Sequence, residues 1–77
     1  MIPRIYADGN EMTEDGRFML HISGSVSDIQ RYGTSIRPGI RVLLNVQDEF
    51  EVEGFLEFDK SDAMWLGRPD WATRRDL

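Results

Sequence analysis

From Ile40 to Phe58 the chain alternates apolar and polar residues twice over, interrupted only by Gln47-Asp48-Glu49. A side-chain period of two is the signature of β-strands with one buried face. Ile40, Val42, Leu44 and Val46 mark that face on the first strand. Phe50, Val52, Gly54, Leu56 and Phe58 mark it on the second. Residues facing one another across a hairpin point to the same side, so the alternation tests the loop length. A two-residue loop pairs Leu44 with Glu51 and drives carboxylates into the core. A three-residue loop pairs Val46 with Phe50, Leu44 with Val52 and Val42 with Gly54. The three-residue register is the expected one, although its loop lacks the Gly such turns prefer.

The next connection, Asp59-Lys60-Ser61-Asp62, reads as a four-residue loop that pairs Phe58 with Ala63 and Leu56 with Trp65. Residues 40–67 thus form a three-stranded antiparallel meander. Upstream, Ile2 to Ala7 is a short strand whose Pro3 confines it to an edge or a strand start. Asp8 to Gly16 is a polar connection, and Arg17 to Ile22 alternates with Phe18, Leu20 and Ile22 on one face. Ser25-Val-Ser-Asp28 resembles a capping box, which with Gly33 as terminator predicts a two-turn helix over 26–32.

About five strands in 77 residues leave room for one domain, spanning 1–77. A small five-stranded antiparallel barrel, SH3-like or alternatively OB-like, is the economical arrangement because closure protects strand edges. The pattern over residues 36–67 resembles SH3-type and Tudor-type barrels in its spacing: a Pro-Gly turn, V-x-L-x-V, an acidic turn and a strand bearing Trp65. The opening Met1-Ile-Pro-Arg-Ile-Tyr-Ala-Asp8, the Arg31-Tyr-Gly33 and Arg37-x-Gly39 middle, and the Trp65, Asp70-Trp71 ending are similar to a group of short, uncharacterised bacterial proteins. That resemblance implies no activity and no binding residues.

Composition removes several classes of function. With no Cys, disulfide frameworks, thiolate metal sites and cysteine nucleophiles are out. Apolar runs such as Val42-Leu43-Leu44 never exceed four residues, too short for a membrane span or a signal-peptide core, and the reading is a cytoplasmic protein. The net charge of −5 falls almost wholly within residues 40–62, where seven acids meet only Arg41 and Lys60. Phosphate backbones and anionic membrane surfaces are therefore unfavourable partners.

Catalytic constellations are equally thin. His21 is the sole histidine and falls on the polar face of its strand, while Ser23, Ser25 and Ser27 lack a nucleophile elbow. Asp8-Gly-Asn10 opens like a calcium loop, but Thr13 and Met19 stand where Gly and Glu are needed. Glu51, Glu53 and Glu57 share a face, yet strand neighbours two apart lie about 6.6 Å from one another, too far to chelate one ion unaided. No enzyme activity, cofactor or metal site is expected.

Two binding surfaces remain. The meander's outer face would put Leu43 opposite Glu53, Arg41 opposite Phe55, Phe55 opposite Leu66 and Glu57 opposite Met64. An apolar centre of Leu43, Phe55, Met64 and Leu66 would then sit within a rim of Arg41, Glu51, Glu53 and Glu57, the anatomy of a protein interface. Its partner is expected to be a protein, a second copy of this chain included, unless the N-terminal strands or the helix cover the patch. The alternative is weak single-stranded nucleic-acid binding by the tail residues Arg68, Trp71, Arg74 and Arg75, with stacking and phosphate contact combined. Trp71 also suits a lid over the barrel's open end, whereas Trp65, on the Phe58 face, is expected in the core.

Overall fold

The computed structural model describes residues 2–77. Its strands are β1 (Arg4–Ala7), β2 (Phe18–Met19), β3 (Arg41–Val46), β4 (Phe50–Asp59), β5 (Met64–Pro69) and β6 (Arg75–Asp76), with an α-helix, α1 (Ser23–Tyr32), and single 3-10 turns at Gly33–Ser35 and Trp71–Thr73. They form a single curled sheet in the order β1-β3-β4-β5-β2, with β6 also pairing β4, and the sheet closes about half a barrel. Ile5, Ala7, Phe18, Leu20, Val42, Leu44, Val46, Val52 and Leu56 line the concave side as one buried cluster. No helix among the described residues is long and apolar enough to cross a membrane.

The β3–β4 hairpin has the three-residue register: Val46 pairs Phe50, Leu44 pairs Val52, Leu43 pairs Glu53 and Arg41 pairs Phe55. Its turn works without glycine because Gln47 and Asp48 both adopt positive φ, 53° and 59°. The Asn45 side chain fastens the turn, donating to the Asp48 carboxylate and accepting from the Asp48 amide, both at 2.9 Å.

Four expectations need correction. The sheet is mixed rather than wholly antiparallel, because β1 lies parallel to β3, with Ile5 opposite Leu44 and Ala7 opposite Val46. Such a pairing needs a long crossover, and residues 8–40, carrying β2 and α1, provide it. The sheet also has six strands, since the tail adds β6.

The helix begins at Ser23, earlier than the capping-box pattern implies, and Ile22 caps it without a side-chain bond. Ser25 and Asp28 are occupied elsewhere. The Ser25 hydroxyl donates to the Tyr6 carbonyl, the Asp28 carboxylate accepts from the Tyr6 amide at 2.8 Å, and the Tyr32 hydroxyl accepts from the Arg4 amide at 3.1 Å. Those are the backbone groups that β1 turns away from β3. The helix therefore satisfies the sheet's outermost edge, which would otherwise be open to another strand.

The β4–β5 register is displaced by two residues: Phe58 pairs Trp65 instead of Ala63, and Leu56 pairs Gly67 instead of Trp65. Asp59 stays in the ladder opposite Met64, and its side chain accepts from the Ser61 and Asp62 amides at 2.9 and 3.3 Å. Ala63 then absorbs the reversal at a φ of 52°. A shift of two leaves every residue on its expected face and changes only its neighbours. Two glycines mark close approaches. A Cβ on Gly54 would lie 2.5 Å from the Arg68 carbonyl, and one on Gly67 would lie 3.0 Å from Leu44.

The tail follows the upper half of β4. The Asp70 amide donates to the Glu53 carbonyl at 2.8 Å, and Thr73 Oγ1 accepts from the Glu53 amide at 2.8 Å while donating to the Asp70 carbonyl. β6 then pairs Phe50 with Asp76 and Glu51 with Arg75. Within this strap Trp71 packs on Phe18 and Phe50, its ring centre 6.0 Å from each. Trp65 is half-buried against the core, with Phe58 edge-on at 5.0 Å.

Candidate functional site

Alternation on β4 sends Glu51, Glu53, Phe55 and Glu57 to the convex side of the sheet, where strands on both flanks supply arginines. Glu51 is the deepest. Its side chain is 7% exposed and is gripped by Arg4, whose Nε and Nη2 reach Oε2 at 3.0 and 2.9 Å, and by Arg75, whose Nη2 reaches Oε1 at 2.7 Å. Glu53 pairs with Arg41. Glu57 accepts from Arg68 Nε at 2.6 Å and from Arg17 Nη1 at 2.9 Å. Five arginines from five segments thus answer three glutamates, and the expected acidic face is neutralised.

The titration of these groups follows. Hydrogen bonds from Arg75 and then Arg4 hold the Glu51 carboxyl below its ordinary range against the opposing effect of burial. Arg68 and then Arg17 do the same for Glu57. Asp15 is lowered by the Thr13 hydroxyl and by Arg17. Among the described residues, no three His, Asp or Glu side chains gather as a metal centre would require.

The expected apolar patch is divided. Leu43 and Ile2 line a groove of about 280 Å³, flanked by Glu51, Glu53, Thr73 and Arg75. Phe55 stands alone at 38% exposure, with the Arg41 guanidinium 5.1 Å from its ring centre and Arg68 opposite on β5. Leu66, displaced by the register shift to face Glu57, is only 2% exposed and offers nothing to a partner. Met64 has moved to the far end opposite Asp59, where it lines a separate hollow of about 310 Å³ with Trp65, Val26 and Ile29, and His21 at hand. Ile2 and Thr73 carry no alternation signal, and only the paths of the chain's two end segments bring them beside Leu43.

The tail residues are engaged within the molecule. Arg68 and Arg75 serve Glu57 and Glu51, Arg74 bonds Asp76 at 3.0 Å and lies 4.0 Å above the Phe50 ring, and Trp71 rests on two phenylalanines. His21 lies on the surface with its Nε2 3.9 Å from Glu11. No protein-family model, characterised protein or solved structure matches the chain.

Proposed function

We propose that this chain is a non-catalytic protein-interaction module that binds through the convex face of β3, β4 and β5. One observation carries the reading: Phe55 and the Leu43–Ile2 groove are apolar, open to solvent and enclosed by ion pairs of both signs. An apolar centre inside a charged rim is how protein interfaces are built, with the centre supplying affinity and the rim orientation. Single-stranded nucleic-acid binding by Arg68, Trp71, Arg74 and Arg75 is weaker as a reading, because each is committed to an intramolecular contact and the net charge is −5.

The test compares the immobilised chain with a Leu43→Ser, Phe55→Ser double variant, each checked for folding by circular dichroism. The reading requires the intact chain to retain a protein that the double variant releases. Retention of a labelled single-stranded oligonucleotide instead, with affinity falling steeply in salt, would transfer the function to the tail.

A further inference from the structure

Around Phe55 the register creates a two-fold pattern of paired charges, to which Arg17 adds one further cation on the Glu57 side. Along β4 its neighbours on the same face are Glu53 and Glu57, and across the strands they are Arg41 on β3 and Arg68 on β5. Arg41 bonds Glu53 and Arg68 bonds Glu57, so a half-turn about the sheet normal at Phe55 exchanges one ion pair for the other. The spacings are about 6.7 Å along the strand and about 4.8 Å across it, similar enough for long side chains to bridge the difference.

Such a face discriminates sharply among ways of meeting itself. If two copies stacked with strands aligned, Glu53 would face a glutamate, or Arg41 an arginine, at every superposition about Phe55. If the strands crossed at right angles, each carboxylate would face a guanidinium. Near-perpendicular packing is one of the two ways in which sheets pack face to face.

Resting on the reading of this face as an interface, we infer that its partner is a second copy of the chain. The copies cross at about 90° on a two-fold axis that runs through Phe55, the Arg41–Glu53 pair and the Arg68–Glu57 pair. Phe55 meets Phe55, Glu53 meets Arg41 of the other copy, and Glu57 meets its Arg68. Each arginine has five donors and each carboxylate about four acceptor sites, and even Glu57, which already accepts three bonds from Arg17 and Arg68, keeps one for the other copy, so the intramolecular pairs persist. Both faces are convex, which confines contact to the neighbourhood of Phe55 and makes the dimer a small, salt-sensitive one of the transient class.

The experiment reads mass by sedimentation and light scattering across a wide concentration range. The intact chain is expected to rise reversibly from 8.9 kDa to twice that value, less so in high salt. Phe55→Arg, Arg41→Glu and Glu53→Arg are each expected to stay at the single-chain mass, since each sets like charges face to face. An equimolar mixture of the Arg41→Glu and Glu53→Arg variants is expected to recover the doubled mass, because one copy then offers two carboxylates where the other offers two guanidinium groups. An intact chain that stays at 8.9 kDa throughout, a mixture that stays there, or a dimeric Phe55→Arg variant would overturn the inference. If the intact chain is monomeric and the Leu43→Ser, Phe55→Ser variant still loses a captured protein, the face remains an interface and only its occupant is wrong.

Discussion

Removing the two arginines that hold Glu51 should cost more stability than removing Glu51 itself. The Glu51 side chain is 7% exposed, whereas those of Arg4 and Arg75 are 51% and 76% exposed. In Glu51→Gln both guanidinium heads turn to water they already touch. The loss is then that of charge-assisted hydrogen bonds, offset by a smaller desolvation cost, or about 1–2 kcal/mol. In the Arg4→Ala, Arg75→Ala variant the carboxylate stays in its recess without a counter-charge. Stranding one partner of a fully buried pair costs about 3–5 kcal/mol, and because the groove beside Leu43 wets this one, about 2–4 kcal/mol is expected. Adding Glu51→Gln to that double variant should recover part of the loss, since a neutral amide is easier to bury. Urea unfolding at constant m-value reports these differences as midpoint shifts. The acid limb is a second readout. The folded carboxyl titrates below its unfolded range, so its contribution is complete above that range and disappears as pH falls through the folded value. Glu51→Gln should therefore flatten the acid limb of the stability profile. If Glu51→Gln destabilises more than the double arginine variant, the burial argument is wrong.

Three other substitutions probe the packing. Gly54→Ala would press a methyl group to 2.5 Å from the Arg68 carbonyl, backbone that β4–β5 pairing holds in place. About 1–3 kcal/mol should be lost, visible as a lower urea midpoint. Ala63→Gly relieves a φ of 52°, and the relief exceeds the entropy glycine adds to the unfolded chain. A gain of up to about 1 kcal/mol is expected, and a loss would contradict the turn geometry. Trp65→Ala should lower the melting temperature more than Trp71→Ala, because Trp65 packs on the core while Trp71 is 47% exposed over two rings. Equal losses would show Trp71 to be as much a core residue as Trp65.

How much of this fold could be read beforehand depends on what alternation can and cannot see. It separates the two faces of β3, β4 and β5, and with a loop-length argument it identifies the β3–β4 register, since a slip of one residue would bury Glu51 among Leu44 and its neighbours. A slip of two residues buries the same side chains as no slip at all. The β4–β5 register was therefore undetermined by hydrophobicity, and it was decided by Asp59, whose carboxylate turns the chain while its backbone stays paired, and by the positive φ of Ala63. That small displacement decides the candidate site: it replaces Leu66 by Arg68 opposite Phe55 and converts an apolar cluster into an aromatic ring between two ion pairs.

The direction of β1 was hidden for a related reason, because Ile5 and Ala7 point inward whether the strand runs parallel or antiparallel to β3. Ser25 and Asp28 looked like a helix cap, and they are instead the hydrogen-bonding partners of Tyr6 on the outer edge of β1. Edge protection unifies these departures. The α1 side chains satisfy β1, the 70–76 strap covers the upper half of β4, and residues 11–13 pair beside β2 through the Met19 amide to the Glu11 carbonyl and the Thr13 amide to the Arg17 carbonyl. A half-barrel that does not close on itself needs such covers, since an open edge recruits strands indiscriminately. With the edges covered, association is directed to side chains, and on the convex face these are Phe55, Leu43 and the paired charges around them.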